Sequence, residues 1–298
     1  MTRHLYQYQA IKELTEEKHY PVHKVCGYLH LSCGAYYRWL KGPVSENEKR
    51  NQEITEKIRD IHEEHPDMGY RRIRDELAKR HGIDVNDKRV LRLCRKGRIR
   101  STIKWRPKGC TQNSNDPAHI AKNYLNRNFR ADAPNEKWLT DVTEFKYYVG
   151  AEVRKVYLSA ILDLYDRRIV AYKIGDRTDN PLVMNTFDEA VAREPDARPL
   201  FHSDRGFQYT SKQFCTRLKK HHMKQSMSRV AHCIDNGPME GFWGILKREM
   251  YYGKRFQAKA DLVFGIESYI AYYNERRIQR GLKLMAPAEY HEHYYAAA

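Results

Sequence analysis

The apolar positions of this chain change period near residue 132, and the change divides it. Upstream they recur at helical spacing. Leu5, Tyr8 and Ile11 mark one short helix, Pro21 opens a second over Val22–Leu29, and Ser32 caps a third over Cys33–Leu40. A charged helix follows around Asn51–Glu63. Gly69 then leads into Tyr70–Arg74, and Asn86 caps a further helix whose apolar stripe is Val90, Leu91 and Cys94. Downstream the period drops to that of strands: Lys137–Tyr148, Lys155–Asp163 and Ile169–Ile174, with Tyr165-Asp166-Arg167-Arg168 turning between the last two. Asn180 caps a helix through Ala192 with Pro181 in its first turn, Pro199–Ser203 is a short strand, and Ser211–Lys220 is a helix. After Pro238 a helix buries Met239, Phe242, Trp243, Leu246 and Met250, and a long amphipathic helix over Ala258–Arg277 covers the sheet. Residues 107–131, rich in Gly, Asn, Ser and Pro, read as a linker. The expected organisation is an all-α helix-turn-helix-like region over 1–44, a second helical region over 45–106, the linker 107–131, and an α/β domain over 132–298.

Charge sharpens this division. The chain of 298 residues carries a net charge of +16. Residues 1–130 hold 28 Lys and Arg against 16 Asp and Glu, and Arg71–Lys108 alone holds 15 against 4. Any one such residue is as well explained by a solvated surface. The asymmetry as a whole fits a polyanion, so Arg71, Arg72, Lys88, Arg89, Arg92, Arg95 and Lys96 are the candidate DNA phosphate contacts. The aromatic third helix (Tyr36, Tyr37, Trp39) serves equally as a bundle core or as part of a helix-turn-helix. Six cysteines, at positions 26, 33, 94, 110, 215 and 233, form no C-x-x-C pair, which excludes the usual zinc modules. Scattered thiols and the lack of a long apolar run fit a reducing cytoplasm rather than a membrane.

Chemistry concentrates in acids. Asp141 lies within a strand pattern, where Asp is depleted, on the face of Leu139, Thr143 and Phe145. Asp204 ends a strand in His202-Ser203-Asp204-Arg205-Gly206, and Glu240 follows it after 35 intervening residues. Three gathered carboxylates repel, at about 4 kcal/mol per close pair for an effective dielectric near 20. A divalent cation relieves the repulsion, and hard oxygen donors suit Mg²⁺ or Mn²⁺. Alone, Glu240 reads equally as a helix-capping residue and Asp204 as a turn residue. Glu144, Asp163, Asp166 and Asp235 compete as ligands: Asp163 and Asp166 flank a hairpin turn, and Asp235 suits ordering of the loop before the helix. His202 supports the site or simply packs. Glu240, Gly244 and Lys247 share one helix face, which offers a carboxylate, a smooth approach and a lysine for a DNA phosphate.

The words around these acids narrow the reading. Trp138-x-Thr140-Asp141-x-Thr143, His202-Ser203-Asp204-x-Gly206-x-Gln208-Tyr209, Ser226-Met227-Ser228-Arg229, Asp235-Asn236-x-x-Met239-Glu240-x-Phe242, Leu246-Lys247-x-Glu249 and Tyr273-Asn274-x-x-Arg277 resemble the OrfB-type transposases of the IS-three family of bacterial insertion sequences, within the DDE transposase and retroviral-integrase group. The likeness spans nearly the whole chain. Its one departure is Val230-Ala231-His232-Cys233, where a Gly is expected before the Cys-x-Asp-Asn word. The resemblance implies an RNase H-like catalytic domain in which Asp141, Asp204 and Glu240 hold two Mg²⁺ ions, with Mn²⁺ as a substitute, for cleavage at the element's ends and strand transfer of the 3′-hydroxyl. It also implies terminal inverted repeats and target DNA as partners, a homodimer or larger multimer on DNA, an upstream OrfA product, and a nucleoid-associated place in the bacterial cytoplasm. The rivals are an inert DNA-binding regulator or domesticated relic, whose prediction of a lost carboxylate is not met here, and a nuclease without strand transfer.

Overall fold

A computed structural model describes residues 4–42, 46–103, 120–229 and 233–297. These fall into two units, Met1–Asp60 and Ile61–Ala298. The first holds α1 (Leu5–Lys18), α2 (Val22–Tyr28), α3 (Cys33–Leu40) and most of α4 (Glu46–Glu64), in which the boundary lies. Its core is Tyr8, Ile11, Cys26 and Tyr36. Trp39 stacks on Tyr8 at 5.6 Å between ring centroids, so Tyr36 and Trp39 serve packing, while Tyr37 is exposed.

The second unit opens with α5 (Tyr70–His81) and α6 (Asp87–Lys96). Asn86 caps α6, its Oδ1 accepting from Arg89 N at 2.7 Å. The buried stripe of α6 is Val90, Leu93 and Cys94, with Leu91 only half-buried: a helix turns about 100° per residue, which swings Leu91 away from the face that Val90 and Cys94 define.

A five-stranded sheet follows, in the order β3-β2-β1-β4-β5. β1 (Lys137–Val149), β2 (Glu152–Asp163) and β3 (Ile169–Gly175) form an antiparallel meander. Gly150, at φ +61°, turns the first hairpin in a conformation that costs a side chain dearly. β4 (Leu200–Ser203) and β5 (Lys224–Met227) add in parallel on the other side of β1. β5 is too short and polar to show in the periodicity. α7 (Asn180–Arg193) leads into β4, and α8 (Lys212–Lys220) links β4 to β5. The cap of α7 is Asp179, whose Oδ1 accepts from Leu182 N, and not Asn180: Pro181 then sits at the second helical position, where its missing N–H is harmless.

Alternation along the central strands sends side chains to two cores. Trp138, Ile161 and Val170 meet α7 and α8 on one face. Leu139, Phe145, Leu158, Ala160 and Leu162 meet α9 (Gly237–Leu246) and α10 (Lys259–Glu275) on the other. Lys247–Tyr251 extends α9 as one wider π-helical turn, and α11 (Pro287–Ala297) closes the chain. Of the composition-predicted linker, 104–119 lies outside the described residues. Residues 120–131 pack: Leu125 is buried, and the N–H groups of Tyr124 and Leu125 both donate to Ser226 Oγ.

Candidate active site

β1 and β4 run parallel with Leu139 opposite His202. Continuing that register by two residues sets Asp141 beside Asp204, the first residue past the end of β4. This is the strand-end position where ligands gather in sheets of this kind. The third acid comes from α9. Asn236 at its N-terminus donates from Nδ2 to Thr140 O at 3.1 Å, and Trp243 on its inner face donates from Nε1 to Asp141 Oδ2 at 3.0 Å. The helix is thus pinned to β1 at Thr140 and at Asp141 itself, and Glu240 lies between the two pinning residues in sequence, exposed on the helix's first turn.

Each Asp carboxylate is oriented by neutral N–H groups. Asp141 Oδ1 accepts from Val142 N at 2.8 Å, and Asp204 Oδ1 accepts from Gly206 N at 2.8 Å. A Cβ on Gly206 would stand 3.0 Å from that same Asp204 oxygen and 2.8 Å from Gln208 Oε1, so a side chain there would push these two side-chain ends aside. Burial, and next the neighbouring Asp204, push the Asp141 carboxyl up to about 7. Burial likewise raises Asp204 and Glu240. Among the described residues, no ion pair with a cation of the protein offsets these charges. Among the described residues, no three acidic, histidine or cysteine side chains converge tightly enough to form a ready metal cage. In type the donors fit a hard divalent cation: they are carboxylate oxygens only, and burial raises all three.

The other acids have protein partners. Glu144 pairs with Lys155 at 2.9 Å. Asp163 accepts from Asn135 N, Tyr165 N and Trp138 Nε1, and Asp166 accepts from Arg168 N and bonds His291. Asp235 is fully buried and clamped by Arg229, Arg127 and Asn123, which orders the loop ahead of α9. The departure at Val230-Ala231-His232 lies outside the described residues. His202 is buried between Ser226 Oγ at 2.9 Å and Ser228 Oγ at 3.1 Å. Ser226 Oγ already accepts two backbone N–H groups, so its own proton goes to His202 Nδ1, and the neutral ring donates from Nε2 to Ser228. His202 therefore splices β4 to β5 directly behind Asp204.

The basic candidates separate. Arg71, Lys88, Arg92, Arg95 and Lys96 have exposed side chains, and Arg89 is half-buried. Arg72 instead turns inward onto Asp67, Glu249 and Tyr272. Lys247 Nζ stands 5.1 Å over the Phe145 ring. Trp243 and Asn236, which hold Asp141's strand against Glu240's helix, carry no sequence signal beyond an apolar stripe and a family word.

Comparison with known proteins identifies the family. An integrase core domain matches residues 131–233 and, in a second part, residues 240–294, and an HTH-like domain matches residues 49–108. The putative transposase InsK of insertion sequence element IS150 from Escherichia coli is 36% identical over 278 residues, 93% of this chain and 95% of that protein. A transposase-like protein of Haemophilus influenzae is 41% identical over 71% of this chain and 95% of its own length. The 31 kDa protein of insertion element IS600 from Shigella sonnei is 34% identical over 92% of this chain and all of its own length (100%). The HTLV-2 integrase catalytic core aligns over 54% of this chain and 99% of its own length, at 20% identity and a TM-score of 0.42. The chain belongs to the transposases of the IS-three family of bacterial insertion sequences, with an HTH-like helical region followed by an RNase H-like integrase core.

Proposed function

We propose that this transposase cuts DNA at the ends of its own element and joins the freed 3′-hydroxyl to a second strand, through the carboxylates of Asp141, Asp204 and Glu240. The observation that carries the reading is the register of β1 on β4, which brings two acids from distant parts of the sequence side by side with no cation of the protein between them. Asp141, Asp204 and Glu240 would hold two Mg²⁺ or Mn²⁺ ions, which supply Lewis acidity for activating the attacking oxygen and stabilising the leaving 3′-oxygen. The chain's own residues set the geometry. Trp243 and Val142 fix the plane of the Asp141 carboxylate, Gly206 N fixes Asp204, and Asn236 holds the start of α9 so that Glu240 faces the same strand end.

DNA is the partner. The exposed Arg71, Lys88, Arg92, Arg95 and Lys96 offer phosphate contacts, with Arg89 at their edge and Lys247 nearer the carboxylates. The reading includes terminal inverted repeats as substrate, target DNA as acceptor, a multimer that bridges two ends, and an OrfA product acting with this chain.

Asp204→Asn and Glu240→Gln keep volume and remove charge. Each should lower Mg²⁺-dependent cleavage of a labelled end duplex by about a thousand-fold or more, the scale of losing a group that stabilises transition-state charge, while gel-shift affinity holds. Equal cleavage by Glu240→Gln returns Glu240 to a capping role. Wild type that binds ends but cleaves under no metal or OrfA condition returns the protein to a regulator.

A further inference from the structure

We propose that Glu249 is a positioning residue: through Arg72 it fixes the far end of the helix bearing Glu240 to the α5–α6 pair, so that DNA held by that pair meets the carboxylates in register. The inference rests on the catalytic reading above, since Glu240 is the residue positioned. α9 and its π-helical extension are continuous from Gly237 to Tyr251, so Glu240 and Glu249 ride on one rod, nine residues and about 13 Å apart at 1.5 Å per residue. The near end of the rod is tied to β1 by Asn236. The far end is tied by Glu249, whose carboxylate is saturated: Oε1 accepts from Arg72 Nη1 and Arg277 Nη2, each at 2.8 Å, and Oε2 accepts from Arg277 Nε at 3.0 Å and Tyr269 OH at 2.8 Å.

Arg72 is the branch point. Its Nη1 also donates to Asp67, just ahead of α5, at 2.8 Å, and its Nη2 donates to Tyr272 on α10 at 3.0 Å. The neighbouring Arg71 is exposed, so one helix presents a cation to solvent and its successor to the catalytic rod. A second strap repeats the design. Arg280, beyond α10, donates to Asp75 on α5 at 2.7 Å and to Asp87 on α6 at 3.2 Å. The Glu249 cluster is not a loose surface pair: the Glu249 side chain is 6% exposed and that of Arg277 10%, whereas Arg280 in the second strap is 45% exposed. A buried carboxylate held by the Arg277 fork and by Arg72 Nη1 has one geometry, and displacing Arg72 removes the one donor that ties it to α5. A π-helical turn at this point also suits function, because such turns gather where a helix must present side chains off its regular spacing.

The test uses the full chain and an end duplex. Arg72→Lys keeps the charge but loses the fork. Its single-turnover cleavage rate should fall about a hundred-fold, the scale of a misplaced reactive group, with KM for the duplex within two-fold of wild type and an unchanged salt slope. A raised KM, a shallower salt slope and an unaltered rate would make Arg72 an ordinary phosphate contact and overturn the proposal, as would unaltered values throughout. Glu249→Gln should match Arg72→Lys; should it fail to fold, Arg72→Lys decides. Hydrogen exchange separates this idea from the catalytic one. Duplex binding should slow exchange over residues 237–251 in wild type and not in Arg72→Lys. If wild type never cleaves, the carboxylate reading fails while this arm still judges the coupling; equal protection in both proteins refutes it.

Discussion

Two sets of acids in the sheet unit differ in what faces them. Asp235 and Glu249 meet arginines. For Asp235 the Arg229 hydrogen bonds hold the carboxyl well below the usual range despite burial. For Glu249, burial alone would raise it, but the hydrogen bonds and charge of Arg277, with Arg72, hold it low. Asp141, Asp204 and Glu240 meet neutral donors or solvent, and burial raises all three. The first set is complete within the protein and holds the loop and helix that carry the second. The second has no cation paired with it among the described residues, the pattern that makes it the candidate site. Asp163 guards against a careless version of this rule. Burial and Asp166 push it to about 7 as well, yet three N–H groups of the β1–β2 edge claim its oxygens. A raised acid therefore does not by itself mark a site.

The comparison breaks most readily at Asp235. Asp235→Ala removes the shared acceptor of Arg229 and Arg127, whose side chains are 43% exposed and can turn to water, and should cost about 1–3 kcal/mol, the scale of lost charged hydrogen bonds, read from the denaturant midpoint at pH 7. A loss under 1 kcal/mol would show that the clamp is ornamental and that the two sets do not differ in structural weight.

Acidification should move a raised and a lowered carboxylate in opposite directions, whichever set they belong to. Asp163, raised when folded, takes up its proton near 7 in the native state but only near 4 when unfolded, so it adds stability as pH falls from about 7 to 4. Asp235, lowered when folded, contributes stability above about 4 and loses it as pH falls further. Urea midpoints at several pH values should therefore show Asp163→Asn flattening the upper window and Asp235→Asn the lower. Coincident curves for the two variants would refute the assignment.

How much of this was legible beforehand depends on sequence distance. Helix and strand identities followed from period, and Asp141, Asp204 and Glu240 stood in recognisable words. What escaped are pairings that only the fold creates: Asp235 with Arg127 across 108 residues, Arg72 with Glu249 across 177. Nothing local distinguishes inward Arg72 from outward Arg71, because a helix turns about 100° between neighbours and composition does not record which face is covered. β5 escaped because Lys224-Gln225-Ser226-Met227 is four residues of mixed polarity, stabilised as a strand by β4 beside it. Asp179 displaced Asn180 as the α7 cap by a single residue, since both are good caps and only Pro181's place in the first turn decides.

The smallest effect is the sharpest test of how the uncompensated set is held. Trp243 is buried against the sheet, and its one polar atom donates to Asp141. Trp243→Phe keeps most of the ring and its packing but deletes that donor, which should cost about 1 kcal/mol of stability, the net worth of one hydrogen bond. Two consequences follow. Losing a donor to the charged form makes ionised Asp141 less favourable, which weakens the site's hold on a cation. The smaller ring also frees the carboxylate to rotate. Both lower activity, so cleavage should fall about ten-fold at limiting Mg²⁺, and added Mg²⁺ should restore only the part due to affinity. Full rescue by Mg²⁺ would mean that Trp243 tunes charge alone. No rescue would mean that it fixes orientation alone. Wild-type cleavage at every Mg²⁺ concentration would mean that the bond between α9 and Asp141 has no part in the chemistry, and that the helix needs only its apolar face to place Glu240.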